Sequence, residues 1–157
     1  MSRRRRAVKR PVTPDPKYGS PMVARLVNML MKWGQKSIAQ KLVYGALDEL
    51  VEKNPGANPL DILQRAVDNA KPRLEVKPRR VGGATYQVPL EVSAERQTSL
   101  ALRWLVNFAG GRKGVPMRKA LAHEIMDAYQ GQGSAIRRRD EVHRMAQSNK
   151  AFAHFRW

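Results

Sequence analysis

The sequence predicts a mainly α protein, a six-helix bundle with one protruding two-stranded β-ribbon between the third and fourth helices. Two patterns carry that expectation. Apolar residues recur at helical spacing in segments separated by Pro, Gly and Asn, whereas between Leu74 and Val92 the period changes to two. A chain of 157 residues with 42% hydrophobic content is also long enough for one compact domain with its own core, and it shows no internal repeat.

The elements follow in order. Ser20-Pro21 supplies an N-cap and a first-turn proline for a helix that turns Met22, Val23, Leu26, Val27 and Leu30 inward and ends near Gly34. A second helix starts at about Ser37, with Ile38, Leu42, Ala46 and Leu50 on one side, and stops at Asn54-Pro55-Gly56. Asn58-Pro59 starts a third, packing through Leu60, Leu63, Val67 and Ala70 and ending before Pro72. In the ribbon, Leu74, Val76 and Pro78 alternate with Arg73, Glu75, Lys77 and Arg79; on the return, Tyr86, Val88, Leu90 and Val92 alternate with Thr85, Gln87, Pro89 and Glu91. Gly82-Gly83 between them accept the positive φ of a tight reversal. Because an isolated two-stranded ribbon is marginal in water, this one must lean on something, and its charge points to nucleic acid. Ser93 then caps a fourth helix, with Leu100, Trp104, Leu105 and Phe108 toward the core, closing at Gly110-Gly111. Pro116 opens a fifth carrying Leu121, Ile125 and Tyr129, and a sixth begins near Ser134 and packs through Ile136, Val142 and Met145.

Charge points to the partner. Thirty Lys and Arg against 13 Asp and Glu leave a net +17, so the chain seeks polyanions. Anionic membrane is the other candidate, but no apolar run approaches the roughly 20 residues of a spanning helix. No signal-peptide pattern opens the chain, so a soluble, cytoplasmic protein without a membrane partner is expected. The absence of cysteine excludes disulfides, zinc knuckles and thiol catalysis. Arg3, Arg4, Arg5, Arg6, Lys9 and Arg10 lie in a front segment broken by Pro11, Pro14 and Pro16 with little to bury, which predicts a basic arm over residues 1–17, disordered when free, ahead of a single domain over 18–157 with its hairpin at about 73–92. The stretch from Asp48 to Asp68 is acidic and is expected to turn away from phosphate, toward basic proteins or toward water.

Enzyme signatures fail on specific residues. His123-Glu124-Ile125-Met126-Asp127 begins like a zinc-protease helix, but Asp127 stands where the second imidazole must be. Around Gly34-Gln35-Lys36-Ser37 a phosphate loop would need glycine at Met29 and lysine at Gln35. There is no Gly-x-Ser-x-Gly elbow and the three histidines are scattered, so no catalytic residue, metal site or cofactor is expected. Asp140-Glu141, following three arginines, suit i,i+4 ion pairing rather than acid-base chemistry.

Binding motifs fit better. Gly111-Arg112-Lys113-Gly114 has the spelling of the KH-domain phosphate clamp without the sheet-backed unit that clamp needs; it still predicts an exposed inter-helix loop in which Arg112 and Lys113 meet phosphate. Arg137-Arg138-Arg139 cover most of a helical turn, so at least one is merely solvated. In the closing Ala151-Phe152-Ala153-His154-Phe155-Arg156-Trp157, the aromatics either stack on bases or dock back on the helical core, the second being the expectation.

Taken together, Lys71-Pro72-Arg73-Leu74-Glu75-Val76, Arg79-Arg80-Val81-Gly82-Gly83-Ala84-Thr85-Tyr86-Gln87-Val88-Pro89 and Ser99-Leu100-Ala101-Leu102-Arg103-Trp104-Leu105 resemble the signature of the bacterial small-subunit ribosomal protein seven family. The basic opening, Tyr18-Gly19 and the closing Ala153-His154-Phe155-Arg156-Trp157 are similar too, so the resemblance covers essentially the whole chain. It implies six helices with a ribbon between the third and fourth. It also implies a non-catalytic component of the small ribosomal subunit that binds the 3′ major domain of 16S-type ribosomal RNA and nucleates assembly of the head. The implied partners are that RNA, exit-site tRNA, mRNA, and neighbouring small-subunit proteins of the head and platform. The implied RNA contacts map onto Arg3 to Arg6, Lys9, Arg10, Lys36, Arg73, Lys77, Arg79 and Arg80, and the tRNA- and mRNA-proximal tip onto Arg79, Arg80, Val81, Gly82, Gly83 and Ala84. One departure lies in the first inter-helix loop, commonly Asp-Gly-Lys-Lys in the family and here Trp33-Gly34-Gln35-Lys36, which removes one cation and adds an aromatic.

Two rival readings remain. An architectural DNA-binding protein also uses a basic ribbon on a helical base, but such ribbons carry an intercalating wedge at the tip, where this one has Gly82-Gly83. A protein-binding hub acting through the acidic segment would keep its partners after nuclease treatment.

Overall fold

A computed structural model describes residues 10–155. They form α1 (Pro21–Leu30), α2 (Lys36–Lys53), α3 (Pro59–Ala70), β1 (Leu74–Val81), β2 (Ala84–Glu91), α4 (Ala94–Gly111), α5 (Met117–Tyr129), α6 (Ser134–Ser148) and a short 3-10 helix, Lys150–Phe155. The six helices and the intervening ribbon are those the periodicity predicts; the terminal 3-10 helix is an addition.

Helix α5 is the centre of the bundle, packed against α2, α3, α4 and α6. Its sequence explains why. Ala120, Ala122 and Ala128 are buried with Leu121 and Ile125, and side chains this short let several helices approach one axis. Of the caps expected at Ser20, Asn58 and Ser93, only that of Asn58 makes a side-chain hydrogen bond. In α3 the Asn58 side chain accepts a hydrogen bond from the Leu60 amide at 3.0 Å, with Pro59 in the first turn. In α1 the proline is placed as expected, but the Ser20 hydroxyl makes no capping bond.

The buried seams differ from the expected ones in a consistent way. In α2 the core side chains are Ala39, Val43, Ala46, Leu47 and Leu50, while Leu42 is half-buried and Ile38 is 51% exposed. In α4 they are Ala101, Leu102, Leu105 and Ala109, with Leu100, Trp104 and Phe108 flanking them half-buried. In α6 Ile136 is buried with Ala135 and Ala146, but Val142 is half-buried and Met145 is 43% exposed. Each helix turns its small residues to the closest approach and leaves some of its largest at the flank, a rotation that the apolar pattern alone does not fix. At one crossing the demand is for no side chain at all: Gly45 of α2 leaves room for the Arg118 aliphatic stem, whose guanidinium reaches Glu49 at 2.7 Å.

One carboxylate joins three elements. Glu124 of α5 is 1% exposed. Its Oε2 accepts from the Arg112 guanidinium just beyond α4 at 2.7 Å, and its Oε1 accepts from the Ala135 amide in the first turn of α6 at 3.1 Å. Gly133, which precedes α6 at φ 93°, has no side chain to cap the helix, so the buried glutamate does so from the neighbouring element. A Cβ at Gly133 would come within 2.9 Å of the Asp127 Cβ, so the approach also requires glycine. Asp127 completes the group by accepting from Arg112 as well.

Removing this buried acceptor strands both the guanidinium and the helix terminus. Glu124→Ala is expected to destabilise the fold by about 2–4 kcal/mol in denaturant unfolding, and Glu124→Gln, which keeps an acceptor, by clearly less. Equal losses would show that the negative charge, which both variants remove, and not the retained acceptor or the side-chain volume, decides stability at this site.

Candidate nucleic-acid interface

The ribbon pairs in antiparallel register from Leu74 opposite Glu91 to Val81 opposite Ala84. Gly82 and Gly83 make the reversal at φ 57° and 90°, the two left-handed positions of a tight hairpin turn. Opposed residues share a face, so the register decides what each face carries. One face holds Glu75, Lys77 and Arg79 with Leu90, Val88 and Tyr86; the other holds Val76, Pro78 and Arg80 with Pro89, Gln87 and Thr85. The two apolar alternations therefore lie on opposite faces, and there is no single charged face. At the tip, Arg79 and Arg80 project to opposite sides.

The expectation that nucleic acid supports the ribbon is corrected at its base, where the support is protein. Both strands pack on α6, and β2 also packs on the 3-10 helix. Tyr86 stacks near Phe152 and Phe155, with ring centroids 5.0 and 5.3 Å away, while Val88 and Pro89 are buried. Phe152 and Phe155 thus dock on the ribbon rather than on the helical core. A second tie runs from α4, where Arg96 grips Glu75 through two bonds of 2.6 and 3.0 Å. That grip, helped by Lys77, holds the Glu75 carboxyl below the usual range for a glutamate despite its desolvation. A third comes from His143 of α6, whose Nε2 accepts from the Arg73 amide at 2.9 Å.

The remaining site residues divide. Arg3, Arg4, Arg5, Arg6 and Lys9 lie outside the described residues, as do Arg156 and Trp157. Arg10, Lys36, Arg73, Arg80 and Lys113 are exposed and make no ion pair among the described residues. Lys77 is exposed, 3.7 Å from Glu75, and Arg79 is half-buried opposite Tyr86. Arg112 departs from expectation. It is turned inward, committed to Glu124 and Asp127, because a buried carboxylate holds a guanidinium more firmly than water does. In the arginine triplet, Arg138 pairs with Glu141 at i,i+3 and Arg139 with the adjacent Asp140, not at the expected i,i+4 spacing, while Arg137 is exposed.

The sequence matches the family described as ribosomal protein S7p/S5e over residues 2–150. The chain belongs to that family. It is 55% identical over 157 residues to small ribosomal subunit protein uS7 of Akkermansia muciniphila, covering all of both chains. With the uS7 proteins of Thermotoga neapolitana and Stenotrophomonas maltophilia it shares 56% over 155 residues and 54% over 157, covering 99% and 100% of each chain respectively. The resemblance drawn from the ribbon signature is thereby shown, and with it a structural ribosomal protein rather than an enzyme. No helix among the described residues is long and apolar enough to cross a membrane.

Several ties in this S7p/S5e chain were not apparent from sequence. Asp15, inside the expected arm, is 4% exposed. It accepts from the Tyr44 hydroxyl at 2.7 Å and from the Lys17 and Tyr18 amides, anchoring the entry to α1 on α2. Lys17 pairs with Asp48 at 3.0 Å and lies over the Tyr18 and Tyr44 rings. Together with Arg118 on Glu49 and Lys71 on Asp68, these pairs engage much of the acidic stretch internally. The only sequence signal for them was the presence of both partners; nothing marked which would meet.

His143 generates a pH prediction. Burial first, then the nearby Arg139 charge, hold its pKa below the ordinary histidine value against an opposing pull from Asp140, with the Arg73 charge adding least. The unfolded chain therefore binds the proton first. The stability the neutral ring contributes is full above about pH 6.5 and is lost as pH falls through the depressed folded value. His143→Gln, which keeps an acceptor for the Arg73 amide but cannot titrate, is expected to reduce the fall in melting temperature between pH 8 and pH 5. An unchanged pH dependence would rule out this residue as its source.

Proposed function

We propose that this protein is a structural component of the small ribosomal subunit that binds the 3′ major domain of 16S-type ribosomal RNA, nucleates assembly of the head, and meets exit-site tRNA and mRNA with its ribbon. Its place is then the ribosome of the bacterial cytoplasm, with head and platform proteins as neighbours. The observation that carries the reading is the ribbon tip: a glycine turn with no apolar wedge, flanked by exposed Arg80 on one face and half-buried Arg79 on the other, held at its base by α6 and α4 and braced beside the Arg79–Tyr86 pair by the 3-10 helix. A rigid finger cationic on both sides suits a cleft between phosphate backbones better than a flat duplex surface. The missing wedge also disfavours the DNA-bending alternative.

In this reading the arginines and Lys9 of the arm expected over residues 1–17 engage phosphates, whereas Asp15 and Lys17 at its end are tied to the body that residues 18–157 form. Lys36, Lys113 and Arg73 offer further phosphate contacts on fixed loops, whereas Arg112 stabilises the body. The internally paired acidic stretch leaves Glu52 and Asp61 without ion pairs among the described residues as places for basic protein neighbours.

The test compares binding to a folded head-domain RNA fragment, a scrambled RNA and a duplex DNA of equal length over a salt series. Preference for the folded fragment that persists as salt rises is the expected result; equal binding that collapses with salt for all three would overturn the reading. Arg79→Ala combined with Arg80→Ala should weaken binding and flatten the log-log salt slope by about 0.7 to 0.9 for each phosphate no longer neutralised. Arg112→Ala should instead lower the melting temperature and leave the slope of the folded protein unchanged.

A further inference from the structure

The loop between α1 and α2 holds a tryptophan where folding gives no reason for one. Trp33 is 94% exposed. It is also the one non-glycine residue at positive φ among the described residues, at 56°, followed by Gly34 at 76°. A left-handed backbone is unfavourable for a bulky side chain, and a fully exposed indole forgoes the burial that normally makes tryptophan useful. The loop is nonetheless fixed: the Gln35 amide donates to the Lys32 carbonyl at 3.0 Å and the Lys36 amide to that of Gly34 at 2.8 Å. Strain held in a well-formed loop that displays an aromatic is a feature of binding sites.

The surroundings identify the occupant. Trp33 stands at the edge of an open groove lined by Ile38, Leu42, Val106, Gly110 and Met117. The two walls come from the two longest stretches of the chain without a carboxylate, 16–47 and 96–123. The first brings Lys32 into the lining of the groove, with Lys36 four residues on at the start of α2, and no carboxylate among the described residues lines it. Lys32 and Lys36 flank the indole in sequence, and both are exposed. An apolar, aromatic surface inside a cationic frame matches a nucleotide with its base unstacked, which presents a flat π-face and a phosphate on either side. It fits a regular helical stem poorly, because paired bases offer no free face.

We propose that Trp33 is a stacking platform for an unpaired base of the ribosomal RNA, with Ile38 and Met117 lining the groove beside it and Lys32 and Lys36 meeting the flanking phosphates. The proposal rests on the RNA-binding function above and adds a site to it. It also explains the departure from Asp-Gly-Lys-Lys in this loop: a cationic contact is exchanged for a stacking one.

The test uses the full chain and the same folded RNA fragment. Trp33→Ala should lower affinity about 5- to 150-fold, the range for one stacked base, without changing the salt slope. Trp33→Phe should recover most of the loss, and Lys32→Ala combined with Lys36→Ala should flatten the slope instead. Melting temperatures equal to the parent's or higher are expected for both Trp33 variants. If Trp33→Ala binds the RNA as tightly as the parent, the proposal is wrong, and it is equally wrong if the slope falls with the affinity, since the loop rather than the ring would then have been disrupted. A parent that shows no preference for the folded fragment would overturn the RNA-binding function itself, so the two failures are distinguishable. Unchanged RNA affinity together with lost binding to an acidic neighbouring protein would assign the groove to protein and end the proposal.

Discussion

The helix that supports the base of the ribbon starts on one buried carboxylate. Glu124 lies at the junction of the α4 exit, the central helix and the start of α6, and α6 in turn supports the ribbon base through His143 and its packing on both strands. In a chain of net charge +17 a buried anion readily finds a cationic partner, and here Arg112 serves both Glu124 and the adjacent Asp127. The consequence is mechanical. A two-stranded ribbon has no core of its own, so its orientation is inherited from whatever it leans on, and here that support is traceable to α5.

The same scarcity of acids sorts the cations. With 13 carboxylates against 30 Lys and Arg, most basic side chains among the described residues make no ion pair, and four of those that do are placed where elements meet. Arg96 ties α4 to β1, Arg118 ties α5 to α2, Lys17 ties the entry segment to α2, and Arg112 ties the α4 exit to α5. What is left outside these junctions is a surface whose positive charge is available to a polyanion. The exposed pairs contribute little stability individually in water, and their value is in fixing positions.

Much of the fold could be read from the sequence because its punctuation is local. Asn58-Pro59, Ser20-Pro21 and Gly82-Gly83 act on their own backbone, and each marks a boundary found in the structure. Helix rotation was less readable: Ile38 and Met145 share the apolar character of their neighbours, and only the packing of α2 and α6 turns them outward. At the candidate site, Lys36, Arg73, Arg80 and Lys113 are exposed as charge and loop position suggested, whereas Arg112 faces inward because of a glutamate 12 residues away that no local pattern pairs with it.

By itself, the sequence determined the order and kind of the elements, the excess of positive charge, the two-residue turn of the ribbon and the family. Those properties depend on neighbours within a few residues, or on composition, and need no knowledge of what lies across the bundle. The tertiary structure decided which cations are held by carboxylates, which side chains line each face of the ribbon, that Phe152 and Phe155 brace Tyr86, and that Trp33 stands clear of the core. These are matters of register and of long-range encounter. A one-residue change in strand pairing or a rotation of about 100° in a helix reassigns them without altering any local pattern.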